Sequence, residues 1–559
     1  MAAATTPASS GDGGEVSAPT EPGWRGSRRM ITLVLTLSFF SDAVSWGIIL
    51  PILPFQLDRL GVPTEDIQRI VSQSLSIFSL AGVVACPVFG IVSDRYGSRK
   101  TPFLAGLVCL LIATLLLALA KTVGQIMLAR LLQGLSAASV WVAGLAMLQD
   151  AVGKKNLGSA LYVQQPPAAS NHAYNMLTPC AVRRGTCFAW VTLGELISPP
   201  AGGFLYHNFG YWAVWQVLGS LIIIDLVARL LLREPKTPRY DQDKEGEEED
   251  EDEDEEEDEE EEEEPLLAGN DANRQQYGAA SNGDDGAVEQ YVPLPAPNWL
   301  ERVWPIARLH RTARFNAALA NGFAQAVVIS AIESTMPLHV YRIFGFDSLQ
   351  AGLLFLPLVL PGVALGSLIG NLADRKGARY VTMRGFLFLA PGLAFFAVPG
   401  SPWFNRLFPP SWTAQPTYST FPYLSPSVAL FSLLLLLTGF GYPAISSPSL
   451  LETSQAVEDF QAEHGEGIFG PRGPVASTFS ENNVVFFAGL SVGPLIGQLV
   501  DSIGFGNMGL VLAAYCLAMA VSSAVFLPAV RPTPRRRRQR RRAAPTATSS
   551  LLEEQQAQS

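Results

Sequence analysis

Charged residues are scarce in this 559-residue chain. Only 16% of its residues are Asp, Glu, Lys or Arg, against about a quarter in ordinary soluble domains, whereas 48% are hydrophobic. Cysteine is also rare, and its five copies show neither a disulfide framework nor metal-ligand spacing. We find no nucleophile–base pair, P-loop or metal cluster, so the sequence argues against an enzyme and against ATP as an energy source.

The net charge of −11 comes from one acidic segment. Every residue of 245–264 except Gly246 is acidic, and leaving out these 19 negative charges changes −11 to +8. The acidic run and the Asn/Gln/Gly/Ser-rich sequence after it cannot bury enough apolar surface to fold. We therefore expect residues 233–312 to form a disordered acidic linker in the cytosol.

Twelve apolar segments each have close to the roughly 20 residues that a bilayer core requires. They predict an all-α membrane protein of two six-helix bundles, 31–232 and 313–530, with a disordered N-terminus (1–30) and a basic tail (531–559). The first six spans are expected at 31–53, 70–92, 102–120, 123–149, 187–206 and 212–232. The second six are expected at 314–340, 349–371, 381–398, 426–447, 476–500 and 507–529.

Lysine and arginine in the short loops predict the orientation, because such residues favour the cytosolic side. They lie in the loops after spans 2, 4 and 8, before span 1, and in a tail with seven Arg between 535 and 542. All of these positions fall on one side of an even-numbered topology. Both termini are therefore expected in the cytosol, at a plasma or vacuolar membrane.

Residues 163–187 do not fit the span pattern. They are polar and contain Pro and Arg, yet joining Leu161 directly to Trp190 would give one uninterrupted apolar helix. We interpret the segment as an anomalous insertion. It is either translated intron or gene-model error, or an unusual cytosolic loop.

A loop motif that follows the second span recurs 280 residues later. Both copies fit G-x3-D-R-x-G-x-R, which indicates two equivalent halves. The forked guanidinium donors and the acid of each copy predict a latch between helices, with a simple positive-inside anchor as the alternative. The residues concerned are Gly90, Asp94, Arg95, Gly97 and Arg99, and Gly370, Asp374, Arg375, Gly377 and Arg379.

Ionisable residues inside the spans are few, and such residues usually mark a substrate or proton route. Asp42 and Glu333 occupy equivalent positions in spans 1 and 7, where paired carboxylates can hold a proton or a cation but not both comfortably. The alternative is that each carboxylate caps a helix or bonds to Ser or Asn. The other candidates for proton or substrate binding are Arg130, Glu195, Asp225, Glu481 and Asn483.

A second repeated pattern of glycine and proline lies in spans 5 and 11. Small residues allow close helix contact, and proline bends a helix. The predicted helix-packing residues are Gly194, Pro199, Gly202 and Gly203, and Gly489, Gly493, Pro494 and Gly497.

These motifs together resemble the major facilitator superfamily between residues 31 and 530. Arg130-Leu-Leu-Gln133-Gly134 is similar to its fourth-span motif, whose arginine the family links to proton transfer, and the run from Gly194 to its antiporter motif, with Ser198-Pro199 in place of Gly-Pro. Within the superfamily, the chain is most similar to the vesicular amine transporter-like branch of twelve-span drug:proton antiporters. Asn483 stands where that branch has an Asp. The Pro-rich loops and the Arg tail suggest a fungal member.

The resemblance implies a monomeric proton-coupled antiporter that exports or sequesters amphipathic cationic small molecules by alternating access. A proton is then the coupling ion, and no other cofactor, metal or nucleic-acid partner is expected. An importer or uniporter of a neutral nutrient such as a sugar is the alternative, since it would not need Asp42. A receptor or scaffold on the same fold would tolerate loss of the membrane carboxylates.

Overall fold

The computed structural model describes residues 28–96, 100–152, 187–232, 297–408, 425–469 and 475–528. This part of the chain is helical and has no strand. We number its long helices α1 to α12 in chain order. The first half contains α1 (Arg28–Gly47), α2 (Thr64–Tyr96), α3 (Lys100–Ala118), α4 (Val123–Val152), α5 (Cys187–Phe209) and α6 (Tyr211–Leu231).

The second half repeats this series. It contains α7 (Ala313–Phe344), α8 (Phe355–Lys376), α9 (Ala378–Ala394), α10a (Pro426–Gly441), α10b (Pro443–His464), α11 (Val475–Gln498) and α12 (Phe505–Phe526). The two parts of α10 are separated only by Tyr442. Short helices at Leu53–Arg59, Trp299–Val303, Ser348–Leu353, Pro402–Asn405 and Val500–Ile503, and 3-10 turns at Pro305–Arg311, Phe395–Ala397 and Glu466–Phe469, lie between them.

Eleven helical stretches in the described ranges are long and apolar enough to cross a membrane. The remaining long helix, α5, runs for 23 residues where the fifth span was expected. Large apolar side chains on the outer helices are exposed, for example Leu115 on α3 and Val525 on α12, at 59% and 65%. Exposing so large an apolar surface to water is unfavourable, so this surface faces lipid. The protein is therefore an integral multi-pass membrane protein.

The two halves pack in the same way. In each half the first helix packs on the fifth, the second on the fourth, and the third on the sixth. The halves meet mainly where α2 packs along α11 and where α5 packs on α8 and the short helix Ser348–Leu353. The expected fold class of two six-helix bundles is therefore confirmed.

Odd-numbered helices begin on the face at which α1 starts, which we call the terminal face. On this face the structure differs from the sequence prediction. Residues 297–312, expected to belong to the disordered linker, form the helix Trp299–Val303 and the turn Pro305–Arg311. This segment is ordered because Trp304, Ile306 and Leu309 pack into an apolar cluster with residues of α7 and α10b.

The other predictions about chain organisation lie outside the described residues. These concern the N-terminus up to residue 27, the insertion up to residue 186, the linker from 233 to 296, and the tail from 529.

Candidate functional site

Asp42 lies in the second half of α1, 14 residues after its start, and is only 7% exposed. The indole of Trp141, on α4, donates a hydrogen bond from Nε1 to Asp42 Oδ2 at 2.9 Å. Trp141 also contacts Phe39, with ring centroids 5.1 Å apart. The carboxylate is therefore held inside the N-terminal bundle by an aromatic donor of the same bundle.

Asp225, on α6, is fully buried and lies beside the part of α1 that directly precedes Asp42. Ser38 Oγ donates to its Oδ1 at 2.6 Å, and Ser41 Oγ donates to its Oδ2 at 2.8 Å. Arg229, one turn further along α6, lies over the ring of Phe103 at 4.9 Å, and its charge also acts on that of Asp225. Asp225 thus fastens α6 to α1 through two serines of α1.

Glu333, on α7, faces the other bundle. Trp46, at the end of α1, donates from Nε1 to Glu333 Oε2 at 3.2 Å. This bond crosses from one bundle to the other, and the side chain of Glu333 stays partly exposed. The structure therefore places Glu333 on the interface between the two bundles, whereas Asp42 is inside one of them.

Arg130, on α4, is a fully buried cation. Its Nη1 donates to Gln133 Oε1 at 3.0 Å, and its guanidinium lies over the rings of Trp46 and Phe78 at 5.7 and 5.9 Å. Within the described residues, its Nε and Nη2 have no hydrogen-bond partner. Trp46 consequently stands between this arginine and Glu333, touching both.

Glu195, on α5, is exposed although it lies well inside the helix. Its charge acts on that of Glu333 across the bundle interface. Tyr442, at the break of α10, is buried near Glu333, and no described residue bonds to its hydroxyl. These three polar side chains, from α5, α7 and α10, are therefore coupled electrostatically through Glu333.

Glu481 lies apart from this group. It is near the start of α11 on the terminal face, where it accepts from Trp304 Nε1 at 2.8 Å and pairs with His310 Nε2 at 3.0 Å. Its neighbour Asn483 has a buried amide nitrogen without a partner in the part of the chain that the structure describes. Glu481 therefore holds the segment before α7, and the structure does not bring it to Glu333.

The repeated glycine positions lie at close helix contacts. A Cβ at Gly202 would meet the carbonyl oxygen of Ile48, directly after α1, and a Cβ at Gly493 would lie 2.9 Å from the Ala331 nitrogen on α7. Gly194 and Gly203 on α5, and Gly489 and Gly497 on α11, are similarly crowded, and Pro199 and Pro494 lie inside the same two helices.

The loop motif is only partly visible. Gly90, on α2, is packed so that a Cβ would lie 3.0 Å from both Ser480 and Trp304, whereas a Cβ at Gly370 would meet nothing within 4 Å. Gly377 has φ +88° and separates α8 from α9, and Arg379 is partly buried. The side chains of Asp94, Arg95, Asp374 and Arg375, and residues 97–99, lie outside the described part.

Sequence reasoning missed the partners of these charges. Trp46 stands one helical turn after Asp42, and this spacing alone would have placed an indole donor next to the carboxylate region. No sequence spacing pointed to Trp141 or Tyr442, because each lies near its carboxylate only through the packing of helices that are distant in sequence.

A family model of the Major Facilitator Superfamily matches residues 35–163 and 184–470. The chain belongs to the major facilitator superfamily. The match leaves out residues 164–183, which lie within the segment interpreted as an insertion. This superfamily consists of membrane transporters and not of enzymes, so the protein is a membrane transporter.

Relatives within the superfamily cover most of the chain. The MFS-type transporter ppzB of the fungus Metarhizium rileyi is 31% identical over 508 residues, which is 90% of this chain and 96% of the relative. The probable vesicular acetylcholine transporter-B of Danio rerio is 26% identical over 38% of this chain and 39% of its own. The recognised family is thus confirmed, and a fungal origin is consistent with the first relative.

Solved structures of the superfamily share the fold. The human organic anion transporter MFSD10 (TETRAN) aligns with a TM-score of 0.51 and 15% identity, over 89% of this chain and 99% of that one. The nucleoside transporter NupG aligns with a TM-score of 0.53 and 13% identity, over 89% and 98%. At these identities the similarity concerns the fold alone.

Proposed function

We propose that the protein is a proton-coupled antiporter that exports or sequesters amphipathic cationic small molecules by alternating access. The observation that carries this proposal is the environment of two carboxylates inside the spans. Asp42 on α1 and Glu333 on α7 each accept a bond from an indole, and neither has an ion-pair partner among the described residues. A carboxylate in such a place needs a proton or a cation to offset the cost of burial.

The two ligands compete at the same oxygens. A proton bound to a carboxylate cancels the charge that attracts a cation, and a bound cation disfavours protonation. Because Glu333 lies between the bundles, a proton or a cation bound to it changes the interactions of both bundles. When the bundles rock about this site, the carboxylates bind a proton from one side of the membrane and a cation from the other. The result is exchange of protons for cations.

Arg130 supports this competition electrostatically. Its guanidinium lies over one face of Trp46, whose nitrogen bonds Glu333, so a positive charge is fixed near the carboxylate. We propose that Arg130 promotes proton release when the cation has left.

The remaining features belong to the same proposal. The repeated loop motif would close the terminal face, where Gly90 already touches Trp304 and Ser480. We place this face in the cytosol and the monomeric protein in the plasma or vacuolar membrane, with a proton as the only coupling ion.

The test is uptake of a fluorescent cationic dye into proteoliposomes under an imposed pH gradient. We expect gradient-driven uptake by the wild type that collapses with Asp42→Asn. Asp66→Asn is the matched control, because Asp66 makes an exposed pair with Arg69 at the start of α2. A folded wild type without gradient-driven uptake would refute antiport of cations and favour a neutral solute. Equal uptake by Asp42→Asn would remove Asp42 from the mechanism.

A further inference from the structure

One face of α5 packs on α1 of its own bundle. A Cβ at Gly194 would lie 3.1 Å from the Cβ of Ala43, and a Cβ at Gly202 would overlap the carbonyl oxygen of Ile48. These glycines let the two backbones approach closely. No side chain on this face of α5 has room to reach the centre of the protein.

The next face of α5 packs on the C-terminal bundle. A Cβ at Gly362, on α8, would lie 3.8 Å from the Thr192 side chain. Gly203 lies against the carbonyl oxygen of Ser348. This face is therefore part of the interface between the bundles. It is covered along the half of α5 that contains Gly203.

Glu195 lies between these two faces. At about 100° per residue, and with Thr192 set at zero, Gly203 falls at about 20° and Gly194 and Gly202 at about 200° and 280°. Glu195 then falls at about 300°, roughly midway between the contact with α1 and the contact with α8. Its exposed carboxylate consequently points into the space that α1, α7 and α8 leave between the bundles.

Glu333 enters the same space from the opposite bundle. Its carboxylate is partly exposed, is bonded by Trp46 of α1, and is close enough to Glu195 for their charges to repel. Neither carboxylate forms an ion pair with any described lysine, arginine or histidine. The buried hydroxyl of Tyr442, near Glu333, has no partner in the described ranges and is a further polar group for a ligand.

We propose that Glu195 and Glu333 form a two-carboxylate site, one carboxylate from each bundle, which takes an organic cation with two positive centres. Two carboxylates facing one space repel each other, and a dication neutralises both at once, whereas a monocation leaves one uncompensated. This inference rests on the proposed transport of cations and names the substrate class for it.

The experiment compares two dyes that share one aromatic body, ethidium with one positive charge and propidium with two. Equilibrium binding of each to the purified full chain is measured by fluorescence, and proton-driven uptake is measured in proteoliposomes. Glu195→Gln should weaken propidium binding by roughly ten- to hundredfold, the loss of one charge-assisted contact, and ethidium binding by no more than about threefold.

Two variants separate this role from a structural one. Glu195→Asp keeps the charge and should keep the preference for propidium. Glu463→Gln is the matched control, because Glu463 is exposed near the end of α10b and away from the site, and it should change neither dye.

The outcomes are distinguishable. Equal weakening of both dyes by Glu195→Gln, no weakening of either, or no saturable binding of propidium by the wild type would each overturn the two-carboxylate site. If ethidium is still carried by the proton gradient in these cases, the proposed antiport of cations stands. Propidium binding that depends on Glu195, without gradient-driven uptake of either dye, would support the site and refute the antiport.

Discussion

Raising the pH through the neutral range should weaken the contact that holds the segment before α7 against α11. Both ring nitrogens of His310 face acceptors: Nδ1 lies 2.8 Å from Asn316 Oδ1, and Nε2 lies 3.0 Å from Glu481 Oε1. The amide orientation of Asn316 is fixed, because its Nδ2 bonds the carbonyl of His310 at 2.7 Å. Only the protonated imidazole can donate from both nitrogens at once.

The sign of the pH effect follows from the bond to Glu481. This bond raises the pKa of His310 above its ordinary value, and the bond to Asn316 acts in the same direction, against the effect of burial. The contact is therefore fully present below the unfolded-state value of about 6.5 and is lost as the pH rises through the higher folded-state pKa. The nearby charges form ion pairs with one another: Arg308 and Arg311 with Glu301, and Arg314 with Glu452 and Asp459.

The magnitude is modest because the contact is partly solvated. A hydrogen bond between charged groups contributes about 1.5–3 kcal/mol when it is sheltered. The side chain of His310 is 41% exposed and that of Glu481 is 12% exposed, which reduces the contribution to about 1 kcal/mol. In a chain of 559 residues, that corresponds to about 1 °C in the unfolding midpoint.

The assay is thermal unfolding of the purified full chain at pH 6 and at pH 8. The wild type should lose about 1 kcal/mol more than His310→Gln between these values, and Glu481→Gln should behave like His310→Gln. His464→Gln is the control, because His464 bonds the backbone carbonyl of Phe460 on the same face. Identical pH dependence in the wild type and His310→Gln would refute a protonated His310.

Three further predictions concern packing and the central site. Arg314→Gln should destabilise the protein by about 3 kcal/mol in chemical unfolding, because it leaves Glu452, which is 2% exposed, without its 2.7 Å bond. Gly493→Ala should lower both the unfolding temperature and transport, since the new Cβ would meet the backbone of α7. Trp46→Phe should tighten binding of a cationic dye by about three- to tenfold, because Glu333 no longer has an indole to exchange for the cation.

Each of these predictions has its own check. Adding Glu452→Gln to Arg314→Gln should restore most of the lost stability, and a purely additive double variant would contradict the pairing. Gly366→Ala should be tolerated, because a Cβ there would meet nothing within 4 Å. Weaker dye binding by Trp46→Phe would mean that the indole stays bonded to Glu333 in the complex.

The positions of the spans could be predicted because hydropathy reports what lies in lipid. The ends of the helices could not, because a helix continues wherever its polar residues have partners. The tenth span was expected to end at 447, yet α10b continues to His464. Its last three turns carry Asp459, which binds Arg314, so this stretch is stabilised by charge pairs instead of by lipid.

The site was predicted in part, and helix geometry explains the difference. Asp42 is 14 residues after the start of α1, which at 1.5 Å per residue is about 21 Å along the helix axis. Glu481 is six residues after the start of α11, or about 9 Å. In the expected span 476–500, Glu481 is close to the first residue, whereas Glu333 is far from the first residue of its own span, 314–340. Counting residues would therefore have separated Glu481 from Glu333. Spacing along the chain places Trp46 near Asp42, but the bond from Trp46 to Glu333 and the bond from Trp141 to Asp42 are tertiary contacts, which spacing does not encode.

The bonds between the bundles differ in kind along the interface. Where α2 meets α11, Ser76 and Ser480 each donate to a backbone carbonyl of the opposite bundle at 2.8 Å, and such neutral bonds contribute about 1 kcal/mol each. Water can replace them when one face opens. Where the end of α1 meets α7, Trp46 donates to Glu333, whose carboxylate oxygen is also the proposed cation ligand. In the proposed mechanism, a cation that takes this oxygen removes a bond between the bundles as it neutralises the carboxylate, so binding itself favours their separation.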